Sequence, residues 1–428
     1  MNKSENRTIA VVGLGYVGLP LAILADRKGY KVIGVDNNAE KIDLIGRRIC
    51  PFADASVSAE LKNASIEATT DASRLSEASI VVICVPTPVY HNHLPNLEPV
   101  EGASRSVAKN LQKGQLVILE STVNPGVSED VVLPILEKES GLRCGEDFYL
   151  AHCPERINPG DPEWNVENIN RVVGAFCPIG LGLAVEFYES ILTGKVKPMN
   201  SLKEAEACKV VENSYRDINI AFVNELAMSF SMLGIDVVNV IEGAATKPFS
   251  FLPHFPGCGV GGHCIPVDPY YLIEYAKQNG FEHDFLALAR RINNGMPEFT
   301  ARQAMMGMNE RKLSLNGAKV AVLGLSYKAG IDDCRESPSF EVIEALRHYG
   351  AKVVAYDPFV LDRSDAKTLE EAVEGAQAVV IATGHDAFKN IAPAYLAERG
   401  VKVVVDGRNC LDKEAFVKAG LVYKGIGR

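Results

Sequence analysis

The sequence predicts an α/β protein in which two doubly wound parallel-sheet domains are joined by a long central helix. Three observations carry this. Apolar runs ending in turn residues alternate with helical patterns over the first ~200 residues. The same alternation returns from Lys319, and the stretch from Leu202 to Leu233 holds neither Pro nor Gly. Strands that are hydrophobic throughout belong to a parallel sheet covered on both faces.

Taken in order, residues 8–13 (TIAVVG) read as a buried strand and Leu19 to Gly29 as the helix behind it. KVIGVD (31–36), SIVVICVP (79–86) and LVILEST (116–122) read as further strands. Leu202 to Leu233 spans about nine turns at 3.6 residues per turn. Its apolar positions Val210, Ile218, Phe222, Leu226 and Phe230 recur at roughly helical spacing, as expected of a connecting helix that is either a dimer interface or a core element. The second sheet is read in KVAVLGL (319–325), AKVVAYDP (351–358), AVVIATG (378–384) and KVVVDGR (402–408). VAVLGLSY echoes IAVVGLGYVG, and KVVAYDP echoes KVIGVDN. The expected division is 1–200 for cofactor binding, 201–312 for a helical middle with the catalytic loop, and 313–428 for the second sheet.

Composition narrows the function. At 428 residues with 47% hydrophobic and 23% charged, the chain is an ordinary globular protein of two or three domains. A net charge of −10 argues against a nucleic-acid partner, which normally meets a basic face. The start, MNKSENRTIAVVGLG, does not read as a signal peptide, and there is no apolar stretch of roughly 18 residues to span a membrane. Ten scattered Cys without a CxxC pair disfavour zinc and disulfide frameworks. The expected compartment is the cytoplasm, with no metal.

Gly13-Leu14-Gly15-Tyr16-Val17-Gly18 is G-x-G-x-x-G directly after a strand and at the start of a helix, the context of a Rossmann-like dinucleotide site. The first Gly permits the turn, the second lets a pyrophosphate approach the backbone, and the third allows helix–strand packing. Asp36 ends the second strand, where a carboxylate accepts hydrogen bonds from a ribose and repels a 2′-phosphate; NAD is therefore expected rather than NADP. Lys41 follows at a distance that can bring its charge near the adenosine end, or else is an ordinary surface lysine. In the second sheet Gly324-Leu325-Ser326 keeps only the first glycine. Lys328, Arg335 and Arg408 stand at or after strand ends, where they suit a nucleotide phosphate, or else are solvated surface cations.

The most informative stretch is PHFPGCGVGGHCIPVDPYYL (253–272), with four glycines between Gly257 and Gly262. Such a loop can present Cys264 partly exposed, with Asp268 four residues on; a structural thiol in a tight turn is the plainer alternative. A nearby cation would favour the thiolate. Lys209 and Asn213, at i and i+4, share a helix face.

The motifs GLGYVGLP (13–20), VPTP (85–88), ESTV (120–123), PERINPG (154–160), Lys209–Asn213, GGHCIPVDP (261–269) and SYKAGIDDCRESP (326–338) occur in the order found in the UDP-glucose/GDP-mannose dehydrogenase family, which the chain resembles over essentially its full length. The resemblance implies a four-electron oxidation of a sugar C6 hydroxyl with two NAD+, in which Cys264 holds the aldehyde as a thiohemiacetal and then a thioester. It implies that Lys209 steadies oxyanions beside Asn213, that Asp268 orients or activates water, and that Glu155 helps hydrolyse the thioester. Thr122 would lie by the nicotinamide, with Tyr16, Val17, Pro86 and Thr87 on the cofactor. Arg156, Ile157, Arg216, Gly261 and Tyr327 match substrate-contact positions, and Lys328, Arg335 and Arg408 the nucleotide end.

His263 and Arg156 look like the UDP-N-acetylhexosamine branch, with UDP-N-acetylglucosamine the favoured substrate; the manno and galacto epimers and UDP-glucose are the alternatives. A two-electron β-hydroxyacid-type dehydrogenase and an idle nucleotide-sugar sensor are the rival readings. Cys258 stands where Pro is expected, either inert or able to form a reversible disulfide with Cys264. His152–Cys153 precede the PER motif without an evident role. A homodimer through the central helix is the expected assembly.

Overall fold

A computed structural model of the chain describes residues 7–52, 54–88, 90, 95–157, 163–262 and 264–428. His263 and positions 158–160 of the PERINPG motif lie outside the described residues. The chain divides into two compact units, 1–212 with 270–280, and 213–269 with 281–428.

The first unit is built on eight strands: β1 (Thr8–Val12), β2 (Lys31–Val35), β3 (Glu67–Thr69), β4 (Ile80–Ile83), β5 (Leu116–Leu119), β6 (Tyr149–His152), β7 (Arg171–Ala175) and β8 (Val196–Pro198). Their spatial order is β3-β2-β1-β4-β5-β6-β7-β8. Strand β1 is central, with Val12 opposite both Val35 and Ile83. The order reverses there, which opens a crevice at the strand ends for a ligand. Alternation along β1 sends Ile9 and Val11 into one core and Ala10 and Val12 into the other. Burying each Val or Ile stabilises the unit by about 1.5–3 kcal/mol.

One pairing departs from the parallel sheet expected from sequence: β7 runs antiparallel to β6. A parallel return needs a crossover, usually a helix, and the described residues between His152 and Arg171 form none. The reversal carries Arg171, the first residue of β7, past the C-terminal end of β6 to the level of Glu155.

The second unit holds β9 (Lys319–Leu323), β10 (Lys352–Tyr356), β11 (Ala378–Ile381), β12 (Val403–Asp406) and β13 (Val422–Gly425), all parallel in the order β10-β9-β11-β12-β13. Val320 and Val322 face one core, Ala321 and Leu323 the other.

The long helix runs Leu202–Leu233. Its buried residues include the apolar Leu202, Val210 and Val223 beside small and polar ones, among them Ala205, Glu206, Ser214, Asp217, Ala221, Asn224 and Ala227. Its exposed face carries Val211, Tyr215 and Phe222, each more than half exposed. Of the five apolar positions named from spacing, Val210 is fully buried, Ile218, Leu226 and Phe230 are half-buried and only Phe222 is exposed. Among the described residues no helix is long and apolar enough to cross a membrane.

Candidate active site

The first helix, Gly18–Arg27, begins at the end of the glycine turn. Gly13 has φ +92°, and a Cβ there would meet the Cys84 carbonyl at 2.7 Å; at Gly18 it would meet the Gly13 carbonyl at 1.9 Å. Gly15 differs: apart from its own chain neighbours, no atom of the described residues lies within 4 Å of where its Cβ would be. Its want of a side chain therefore serves no internal packing and leaves the backbone open to a ligand. Tyr16 lies against Phe52 with ring centroids 4.2 Å apart, and Val17 is half-buried.

Asp36 follows β2 and is 7% exposed. It accepts from the amides of Leu14 at 2.9 Å and Asn38 at 3.0 Å, and from Lys41 Nζ at 2.7 Å. Burial raises its pKa, but Lys41 and the two amides outweigh burial and hold the carboxyl below its usual range. These residues fit a dinucleotide: open backbone at Gly15, free amides at a helix N-terminus for the pyrophosphate, and an ionised carboxylate at the ribose end.

Farther along the same strand ends, Pro86 is exposed and Thr87 half-buried. The Thr87 carbonyl accepts from the hydroxyl of Tyr271 at 2.5 Å, and Tyr271 is almost fully buried. Thr122 is half-buried just past β5. The loop beyond it is held from the long helix, where Glu206 accepts the amides of Gly126 at 2.6 Å and Ser128 at 2.8 Å. Burial pushes Glu206 up to about 7 against those bonds.

Glu155 is buried, with one oxygen accepting the amides of Arg156 and Ile157, both at 2.6 Å, and the other bonded by Arg171 at 2.8 Å. Arg156 binds Glu212 through two nitrogens and the Asn170 carbonyl at 2.9 Å. Lys209 is half-buried on the long helix, and Arg216 is exposed one turn beyond Asn213.

In the second unit the glycine loop is fixed from several sides. Asn224 accepts the Gly257 amide at 3.0 Å, and the Gly407 carbonyl accepts that of Cys258 at 2.9 Å. Arg408 donates to the carbonyls of Ala382 at 2.7 Å and Gly259 at 3.4 Å. A Cβ on Gly261 would strike Tyr327 at 2.7 Å, and the Gly262 amide donates to the Arg335 carbonyl at 3.1 Å. The Arg335 guanidinium binds Asp333, its nearest contact 2.6 Å, and Lys328 is half-buried nearby in sequence.

Cys264 is partly exposed. Its carbonyl accepts the amides of Val267 at 3.0 Å and Asp268 at 2.8 Å, at the start of the helix Asp268–Gln278. Asp268 is 2% exposed and accepts from Asn213 Nδ2 at 2.5 Å. Cys258 is fully buried and in no disulfide, its Sγ 3.4 Å from the Ala382 carbonyl. Burial raises its pKa, with Arg408 opposing. Cys258 is thus a core thiol in this structure.

Sequence reasoning passed over Glu120, Arg171, Glu206, Asn224 and Tyr271. Glu120 carried one legible signal, a carboxylate directly after the wholly apolar LVIL. The others look ordinary until the chain is folded.

These two sheets, one with a dinucleotide turn and the other meeting a cysteine loop, define an NAD-dependent oxidoreductase. Family models agree in order along the chain: the UDP-glucose/GDP-mannose dehydrogenase NAD-binding domain matches 7–192, the central domain 203–295 and the UDP-binding domain 321–413. A UDP-N-acetyl-D-mannosamine dehydrogenase of Pyrococcus horikoshii is 39% identical over 425 residues, covering 98% of this chain and 99% of that one. A UDP-N-acetyl-D-glucosamine 6-dehydrogenase of Pseudomonas aeruginosa is 38% identical over 415 residues, with 95% and 97% covered. The solved structure of a UDP-D-ManNAc dehydrogenase from P. horikoshii superposes with a TM-score of 0.92 at 38% identity, covering 98% of this chain and 99% of that one. The chain belongs to the UDP-glucose/GDP-mannose dehydrogenase family and is an NAD-dependent UDP-sugar dehydrogenase.

Proposed function

We propose that the enzyme oxidises the C6 hydroxyl of a UDP-N-acetylhexosamine, UDP-N-acetylglucosamine in preference to its epimers, to the uronate by way of a thioester on Cys264. The observation that carries this is local to the second unit. A partly exposed thiol sits on the turn that starts a helix, and the buried first residue of that helix, Asp268, is hydrogen-bonded to Asn213. Thiol and carboxylate are held on one short rigid turn, the requirement for a nucleophile with a water-orienting partner.

Bound NAD+ supplies the hydride acceptor, one equivalent for each of two oxidations. Cys264 adds through Sγ to the aldehyde carbon, which restores a carbinol from which hydride can depart. Lys209 steadies the oxyanion and Asn213 stands beside it. Water, oriented by Asp268 and deprotonated with the help of Glu155, cleaves the C–S bond of the thioester and returns the thiol. Overall, one alcohol, two NAD+ and one water give a carboxylate, two NADH and three protons.

Gly13, Gly15, Tyr16, Val17, Gly18, Asp36, Lys41, Pro86, Thr87 and Thr122 are assigned to the cofactor. Arg156, Ile157, Arg216, Gly261 and Tyr327 are assigned to the sugar, and Lys328, Arg335 and Arg408 to the UDP. The division of labour is 1–200, 201–312 and 313–428, supported by where the family models fall. The N-acetylated sugar is supported by the names of relatives in both the manno and gluco forms and by Arg156 next to Glu155. Cysteines without disulfide bonds among the described residues support a cytoplasmic enzyme, and the exposed Val211, Tyr215 and Phe222 support a homodimer through the central helix.

The test is a panel of UDP-glucose and UDP-linked GlcNAc, ManNAc and GalNAc, counting NADH per sugar. Two NADH and a uronate, fastest with UDP-GlcNAc, are expected, and Cys264→Ser should form no acid. One NADH per sugar, or acid formation at the wild-type rate in Cys264→Ser, would overturn the mechanism.

A further inference from the structure

The first unit buries more charge than its cofactor turn needs. Arg171 is fully buried and lies between two carboxylates. Its Nη2 donates to Glu155 Oε2 at 2.8 Å, while Nη1 stands 3.9 Å from Glu120 Oε2, within ion-pair range but beyond a hydrogen bond. Glu120, fully buried just past β5, accepts a hydrogen bond from Tyr188 on the helix Pro178–Ile191, and Cys84 Sγ lies 3.8 Å from its other oxygen. The groups facing Glu120 are thus Cys84 after β4, Cys153 and Glu155 after β6, Arg171 on β7 and Tyr188.

One guanidinium shared by two carboxylates leaves a net negative charge in the interior when both are ionised. Such a cluster is weak as a stabilising device, because well-packed apolar residues of similar volume often do as well or better. Its placement is more telling: it ends on the residue whose carboxylate is assigned to thioester hydrolysis. We propose that Arg171 and Glu120 are positioning residues for Glu155. Arg171 fixes the orientation of the Glu155 carboxylate, and the ionisation of Glu120 sets how much of the shared positive charge Glu155 receives. This rests on the assignment of Glu155 to hydrolysis.

The sign follows from Coulomb's law. With Glu120 protonated, the whole guanidinium charge holds the Glu155 carboxylate and weakens its pull on a water proton. With Glu120 ionised the charge is divided, and Glu155 becomes the better base. Burial pushes Glu120 up to about 7, against the opposing pull of Arg171. Hydrolysis should therefore quicken with pH through that region, while the first oxidation does not depend on this cluster.

The experiment uses the full-length enzyme with NAD+ and UDP-GlcNAc, following NADH by stopped flow and the Cys264 thioester by rapid quench and mass spectrometry. In Glu120→Gln the first NADH should form within about twofold of the wild-type rate, while thioester decay near pH 8 falls about tenfold and loses its rise between about pH 6 and 8. Tyr188→Phe removes a bond that favours the Glu120 carboxylate, and should move the rise to higher pH. Arg171→Lys should slow decay throughout. An unchanged pH rise in Glu120→Gln, or equal loss in both half-reactions, overturns the proposal. If Glu120→Gln fails to fold, Tyr188→Phe decides, and an unmoved profile there counts against it. Glu155→Gln separates the two claims. Unhindered thioester decay in that variant removes the assignment of Glu155 itself, whereas blocked decay with a normal Glu120→Gln removes only the positioning role.

Discussion

The two sheets open in the same way and then diverge at the third residue of the turn. Gly13 donates to the Val35 carbonyl and Gly324 to that of Tyr356, both at 2.8 Å; Asp36 accepts the Leu14 amide at 2.9 Å, and Asp357 that of Leu325 at 2.7 Å. At Gly15 the backbone is open. Its counterpart Ser326 is fully buried, donating its amide to Asp357 at 3.0 Å and its hydroxyl to the Lys328 carbonyl at 3.0 Å. A helix starts at Gly18 in the first sheet, but only at Pro338 in the second. The first turn leaves amides and a helix end for a pyrophosphate. The second has consumed its amides internally, so only side chains and later backbone can meet a phosphate there.

The paired aspartates show the same contrast. Asp36 keeps an exposed edge and a Lys41 partner. Asp357 is sealed, with bonds from the amides of Leu325, Ser326 and Phe359 and a contact of 3.0 Å to His385 Nε2. Burial raises its pKa, but His385 and the amides outweigh burial and bring it to about 2. The proposed ribose contact falls to the first aspartate; the second is spent on bonds inside its own unit.

The comparison can be broken first at Asp357. Asp357→Ala should cost about 3–5 kcal/mol of stability by leaving three amides and His385 without their acceptor, with KM for NAD+ unchanged in whatever folds; urea denaturation and kinetics check both. Its folded pKa lies below the unfolded value of 3.8, so its contribution is complete above about pH 4 and is lost as pH falls through about 2.

Gly15→Ala comes next, with KM for NAD+ up about 100-fold, since a methyl occupies the approach to the pyrophosphate; the melting temperature should hardly move. Ser326→Ala should do the reverse, losing about 1–2 kcal/mol of stability with NAD+ kinetics intact.

Acid response sharpens the contrast further. His152 is fully buried, neither ring nitrogen has a partner among the described residues, and burial lowers its pKa to about 3. The unfolded imidazole takes up a proton below about 6.5 while the folded one does not. The first unit should therefore lose about 2 kcal/mol between pH 7 and pH 5, and His152→Leu should abolish that slope. Trp164, the chain's one tryptophan and part of the first unit, gives a local fluorescence readout.

Lys41→Met should have the smallest effect, less than about threefold in KM for NAD+, because a partly exposed ion pair contributes little. No change at all would take Lys41 out of the cofactor site, whereas a tenfold change would make it one of the principal contacts there.

Much of this was legible before folding. TIAVVGLGYVG followed by KVIGVD specified a strand, a turn needing glycine and a carboxylate at the next strand end, because these depend on local sterics and alternation. The glycine loop at 257–262 singled out Cys264 for the same reason. What could not be read were the pairings between residues remote in sequence. Asn213 meets Asp268 55 residues away, Tyr271 meets Thr87 across 184, and Asn224 meets Gly257 across 33. The antiparallel β7 was equally hidden, and with it Arg171.

By itself, then, the sequence determined the two α/β sheets, the dinucleotide turn and the thiol on its glycine loop, since each follows from propensity, periodicity and backbone freedom within a few residues. Only the tertiary structure decided which charges are buried together. It alone showed that Asp357 is sealed by three amides and His385 where Asp36 pairs with Lys41, that Val211, Tyr215 and Phe222 on the long helix are exposed, and that Glu120 and Glu155 flank one guanidinium. Burial and pairing of charge are set by desolvation and distance between remote strands, quantities that local sequence does not encode.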